Sequence, residues 1–399
     1  MIRLTRRRVL RGLGAVACSA AAHPLTTTVT FADAPGDARL VVIILRGAMD
    51  GLDVLRPVGD PDHAALRRHI GAEAGPALDG FFQLHPALGG LHPLWQSGEL
   101  AFAHAVSTPY RDKRSHFDGQ DLLEAGTGMD VAPGTARDGW LNRLLQVIPG
   151  SGGETAYAIG TDPMKILDGP ALHSIWSQDA ALSISTQKQL LLEYLYEEDP
   201  LFHAAAAEAI ELAALEPGMA GDSAMASPMR NRRRGRAAET LAAFAAGRLA
   251  ASSRIAAFSI TGWDTHKDQS RALGRPLSEL AVAVETLRDG LGPAWGQTMV
   301  MAMTEFGRTV RENGSKGTDH GTGGAMLLAG GALNGGRVFG RWPGLDEASL
   351  YQRRDLMPTA DVRAYAAWAL AGLFGVGRAT LEGSIFPGLD LGDDPGLLL

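Results

Sequence analysis

The sequence predicts an α/β protein, a mostly parallel β-sheet sandwiched by helices with one helical insertion. Three observations point there: unbroken runs of β-branched and other apolar residues recur along the chain, a stripe of helical period lies between two of them, and acidic or histidine-bearing segments flank them.

Residues 39–45 read Arg-Leu-Val-Val-Ile-Ile-Leu, as expected of a strand buried on both faces. Runs of the same character cover 100–106, 254–260 and 298–304, with a shorter fifth at 325–329. Between the third and fourth, Leu277, Leu280, Val284, Leu287 and Leu291 recur at steps of three and four, which places them on one face of a crossover helix. Residues 116–125, 189–215, 237–250 and 361–374 also read as helices, and 183–250 as the helical insertion.

The first residues carry Thr5-Arg6-Arg7-Arg8-Val9-Leu10 and then a small apolar run from Gly12 to Ala22, the order of a twin-arginine export signal. That run is shorter than the roughly 20 apolar residues a bilayer span requires, so no stable membrane anchor is expected. Ala32-Asp33-Ala34 has the form of a cleavage site. The expected organisation is a signal over 1–34 and a single α/β domain over 35–399. The twin-arginine translocase would be a partner during export, and the destination periplasmic or secreted.

Cys18, the only cysteine, falls inside the signal, which excludes a disulfide, a thiolate metal site and a cysteine nucleophile in the mature chain. A net charge of −7 with mixed signs argues against a nucleic-acid surface. The basic cluster 230–236 sits in a Gly, Ser, Pro and Met-rich stretch and reads as a solvated linker.

Ligands of open parallel sheets bind beyond the carboxyl ends of the strands, so the residues that follow each run are the candidates. Asp50 follows the first run, Arg114-Ser115-His116-Phe117-Asp118 the second, Asp264 and His266 the third, and Glu305 and Arg308 the fourth; Asp319 and His320 precede the fifth. Carboxylates and histidines from several strand ends can converge on one or two divalent ions, with zinc, manganese, calcium and magnesium all compatible. Asp264 and His266 are two apart and share a side in an extended segment. Asp319 and His320 diverge, so one would ligate and the other orient, with His320 preferred as ligand.

Ser115 stands at a helix start, where it reads either as an N-cap or as a nucleophile towards a phosphoryl or sulfuryl centre. Arg114 or Arg308 would hold the centre's oxygens, and Arg308 reads equally as a structural ion-pair partner.

These segments resemble a large bacterial family, the domain of unknown function 1501. The resemblance runs through Gly47 to Leu52, Arg114 to Asp121, Gly262 to Gln269 and the long stretch Thr304 to Gly324, and ends at Ser384-Ile385-Phe386-Pro387-Gly388. It implies an alkaline-phosphatase-like core related to phosphatases and sulfatases, with Asp50, Ser115, Asp264, His266, Glu305 and His320 in a similar order to that superfamily's site. Glu305-Phe306-Gly307 stands where Asp-His-Gly is expected, so one histidine ligand is lost. Ser107-Thr108-Pro109-Tyr110-Arg111 is similar to a sulfatase nucleophile motif and makes Ser107 a rival of Ser115. Two functions follow as expectations. One is an exported metal-dependent hydrolase of anionic phosphate or sulfate esters acting through a serine nucleophile; the other is a non-catalytic exported protein that keeps the fold, with or without one structural metal ion, and binds a polymer or partner.

Overall fold

The computed structural model describes residues 36–71, 73–129, 138–177 and 237–399. The expected signal, Cys18, the basic cluster 230–236 and the expected insertion up to residue 236 lie outside the described residues.

Among the described residues nine strands form one sheet. β1 (Arg39–Arg46) is central, with β7 (Ile255–Thr261) and β8 (Thr298–Met303) parallel on either side. Beyond β7 follow β5 (Ala156–Ile159) and β6 (Ser174–Trp176), also parallel. Beyond β8, β9 (Gly324–Ala329) runs antiparallel to both β8 and β4 (Leu100–Ser107). β10 (Val338–Phe339) and β11 (Ala360–Asp361) pair with β4 in parallel. The short β2 (Leu55–Arg56) and β3 (Gln83–Leu84) form a separate antiparallel pair.

The apolar run of β1 explains its place. Val41, Ile43 and Leu45 enter one buried cluster with Leu241, Leu277, Leu280, Val284 and Leu287. Leu40, Val42 and Ile44 enter a second, on the opposite face, with Leu141, Leu144, Ala366 and Leu370. Because successive side chains point to opposite faces, a strand apolar at every position must be covered on both sides.

On the first face the crossover helix Gly274–Leu291 buries the expected stripe of Leu277, Leu280, Val284, Leu287 and Leu291, about 1.5–3 kcal/mol for each fully buried side chain. The helix Ala237–Ala250 packs in the same cluster through Ala238, Leu241, Ala242, Ala245, Ala246 and Leu249. Small residues permit a close crossing, since a Cβ on Gly290 would stand 2.7 Å from that of Ala246. Among the described residues no helix is long and apolar enough to cross a membrane.

The direction of β9 decides where the site can form. β1, β4, β7 and β8 all end at one edge of the sheet, and an antiparallel β9 begins at that same edge. Residues that follow four strands and residues that precede a fifth are thereby brought together.

Candidate metal centre

Three connections meet at this edge. Gly47 follows β1 with φ +123°, and a Cβ there would lie 2.7 Å from the backbone nitrogen of Asp264, so the backbone passes where a side chain has no room. After β8, the backbone of Gly307 and Thr309 pairs with that of Asp319, Gly321 and Thr322. Gly317 packs so closely on His266 that a Cβ would reach 2.3 Å from its carbonyl carbon. The loops carrying Asp264, His266 and His320 therefore form one unit.

His116, Asp264 and His320 each present a donor atom within 4.8 Å of the other two. His320 Nε2 is 3.1 Å from Asp264 Oδ1, and His116 Nε2 is 3.6 Å from Asp264 Oδ2. His266 adjoins this group, its Nε2 3.0 Å from both Asp264 Oδ1 and His320 Nε2.

Each histidine has an acceptor at its other ring nitrogen. His116 Nδ1 meets Glu305 Oε1 at 2.7 Å, His266 Nδ1 meets Asp319 Oδ1 at 3.3 Å, and His320 Nδ1 meets the carbonyl of Arg114 at 3.1 Å. A carbonyl only accepts, so His320 Nδ1 carries the hydrogen and, in the neutral ring, Nε2 bears a lone pair. His116 Nε2 is buried and, among the described residues, has no hydrogen-bond partner. Lone pairs turned inward, with N–H groups turned out to carboxylates and a carbonyl, are the arrangement that metal-binding histidines adopt.

Charges follow the same plan. Burial would push the Asp264 carboxyl up, but the Arg308 guanidinium against it brings it below the usual carboxylate range. Burial likewise opposes ionisation of Glu305, and hydrogen bonds from His116, Gln120 and Thr304 outweigh it. Glu305 raises the pKa of His116, whereas burial lowers that of His320 in spite of Asp264.

Not every residue picked out in the sequence joins this group. Glu305 is fully buried and is used by Gly47 N–H, Gln120 and His116, so it orients His116. Asp50 is engaged elsewhere, paired with Arg67 Nη1 at 2.6 Å and accepting from Gln269 Nε2 at 2.6 Å. Asp319 faces His266 Nδ1 and Asn313, on the outer side of the ring.

Arg308, 0 % exposed, donates to the carbonyls of Ala48, Thr318, Gly47 and Trp263 and to Asp264, the structural ion pair of its two readings. Ser115 caps the helix His116–Ala125, accepting from Asp118 N–H at 3.4 Å. Ser107 donates to the Thr108 carbonyl and accepts from Arg111. Phe306 is buried and stacks on His116 and Tyr110, so it walls the site.

Sequence reasoning missed His116, Arg67 and Gln269. His116 stood beside Ser115 in a strand-end segment already singled out. Its signal was that position, overshadowed by the serine.

The family model "Protein of unknown function (DUF1501)" matches residues 101–366, two thirds of the chain. The chain belongs to this family. No curated protein matches this DUF1501 chain.

Among solved structures, it is similar to an alkaline phosphatase superfamily protein from Vibrio parahaemolyticus, with 13% identity, a TM-score of 0.33, and coverage of 74% of this chain and 60% of that one. It therefore spans less than two thirds of that protein. The alkaline phosphatase of the Antarctic bacterium TAB5 is similar at 10% identity and TM-score 0.33, over 73% of this chain and 90% of that one. The periplasmic domain of EcEptC from Escherichia coli, in complex with Zn, is similar at 9% identity and TM-score 0.34, over 75% and 74%. Similarity at this level carries no argument about activity.

Proposed function

We propose that this DUF1501 protein is an exported, metal-dependent hydrolase of phosphate or sulfate esters built around one divalent ion. The observation that carries the proposal is the orphaned, buried His116 Nε2 facing Asp264 and His320, with all three site histidines held from behind through Nδ1. Without a cation, His116 Nε2 would stay without a partner, and His266 and His320 could each reach Asp264 Oδ1 through Nε2 only by holding a second ring proton.

His116, Asp264 and His320 are the ligands in this reading, with His266 completing the set. Two oxygen or nitrogen donors on one ion at about 2.0–2.2 Å stand somewhat over 3 Å apart, which the separations here match. A second ion is not part of the proposal, because Arg67 already neutralises Asp50 and Glu305 has its lone pairs in use.

A divalent ion held there would stabilise negative charge on ester oxygens. The chain's own residues supply the rest. Arg308 fixes Asp264, and Glu305 holds His116 while remaining ionised. Ser115, which precedes His116, accepts from Asp118 N–H; as the nucleophile its oxygen would bond to phosphorus or sulfur as the bond to the ester's alcohol breaks, and its hydroxyl proton would pass to the departing alcohol oxygen. The Arg114 side chain is 38 % exposed with its ion-pair partner Asp355 at 3.9 Å, which leaves its guanidinium donors for an anionic ester. Export rests on the paired arginines Arg6 and Arg7, with periplasm or exterior as destination.

The test is turnover of p-nitrophenyl phosphate and p-nitrophenyl sulfate by protein loaded in turn with zinc, manganese, magnesium and calcium. Metal-dependent hydrolysis lost in both His320→Ala and Ser115→Ala supports the reading. Stoichiometric metal without turnover of either ester would favour an exported binding protein, a reading to which the capping role of Ser115 also lends itself.

A further inference from the structure

We infer that Gln269 is a positioning residue for the metal centre, its carboxamide clamping the two ligand-bearing loops to the buried carboxylates of Asp50 and Asp53. The inference rests on the metal reading above. Gln269 is fully buried, and both ends of its amide are in use. Nε2 donates to Asp50 Oδ2 at 2.6 Å and to Asp53 Oδ2 at 3.0 Å. Oε1 accepts from the hydroxyls of Thr265 at 2.9 Å and Thr318 at 2.7 Å. One amide orientation satisfies all four contacts, since carboxylates cannot donate.

The two threonines are what connect Gln269 to the centre. Thr265 lies between Asp264 and His266, and Thr318 immediately precedes Asp319 and His320. The backbone ties the same pieces together: Thr318 N–H donates to the Thr265 carbonyl, and Gln269 N–H to the Lys316 carbonyl. Arg308 adds a second brace by holding both the Thr318 carbonyl and Asp264.

Few side chains can replace this one. A leucine would leave two hydroxyls and two carboxylate oxygens without their buried partner, and a glutamate would set a third carboxylate against Asp50 and Asp53. The chain therefore keeps Asp50 as an anchor two contacts removed from the ion. Arg67 supplies its counter-charge, and the Asp50 carboxyl lies below its ordinary range because Arg67 and Gln269 together outweigh burial.

Cobalt(II) titration of the full chain, followed by visible absorption, tests the inference. Wild type is expected to bind one equivalent. Thr265→Val and Thr318→Val should each weaken cobalt binding about 10-fold and alter the absorption bands, and Gln269→Leu about 100-fold. Adding Thr265→Val to Gln269→Leu should weaken it no further, because both remove the same link.

Wild-type affinity and spectrum in all these variants, even with lowered melting temperatures, would overturn the inference. So would threonine effects that add in full to that of Gln269→Leu. Should Gln269→Leu not fold, the two threonine variants and their double variant decide: a double variant weakened about 100-fold with altered bands supports the inference, and wild-type affinity and spectrum in all three would overturn it. A wild type that binds no cobalt would instead bring down the metal reading, and this inference with it.

Discussion

His266 Nε2 and His320 Nε2 lie 3.0 Å apart, although each ring already has an acceptor at its Nδ1. Two lone pairs at that distance repel unless a proton or a cation lies between them. Replacing His320 with glutamine, which keeps volume and polarity, should abolish metal binding while leaving the fold intact. Circular dichroism and elemental analysis of His320→Gln check both parts.

The buried Glu305 holds His116 from behind and never needs to touch the ion. Glu305→Gln keeps an acceptor of the same shape but removes the charge, and should lower metal affinity about 10- to 100-fold. A competition titration against a chelator of known affinity measures the change.

The fold behind the site was legible wherever both faces of a strand are apolar, as in β1, β4, β7, β8 and β9. β5 was not, because Ala156–Ile159 is only four residues long and indistinguishable from a helical fragment. The reversal of β9 was equally hidden: a six-residue apolar run carries no sign of its direction. That reversal is what brings His320 to the edge where Asp264 lies.

The sequence pointed to Asp264, His266 and His320 because they flank such runs. Arg67 and Gln269 left no comparable mark, since their partner Asp50 is distant in sequence and nothing local records an ion pair or an amide bridge formed by tertiary packing.

The pair of Asp50 and Arg67 is almost wholly buried. Arg67→Met should therefore destabilise the protein by about 3–5 kcal/mol, because a carboxylate is left in the interior without its counter-charge. Replacing both members, as in Asp50→Asn with Arg67→Met, should recover part of that loss. Urea denaturation of wild type and the two variants at neutral pH gives the comparison.

His104 lies in β4, stacked on Phe82, and burial depresses its pKa from 6.5 to about 4. A histidine held neutral in the folded state binds its proton more readily when unfolded, so its contribution is complete above pH 6.5 and is lost as pH falls towards 4. The span corresponds to about 3 kcal/mol, the shift multiplied by about 1.4 kcal/mol per unit. Chemical denaturation between pH 7 and 4 should show this decline in wild type and a shallower one in His104→Gln.

The most direct test of the central claim is elemental analysis of protein purified without chelators or a histidine tag, wild type beside the Asp264→Ala, His266→Ala double variant. Wild type is expected to hold close to one divalent ion per chain and the variant none. Two ions per chain, none in wild type, or an equal content in both proteins would contradict the claim.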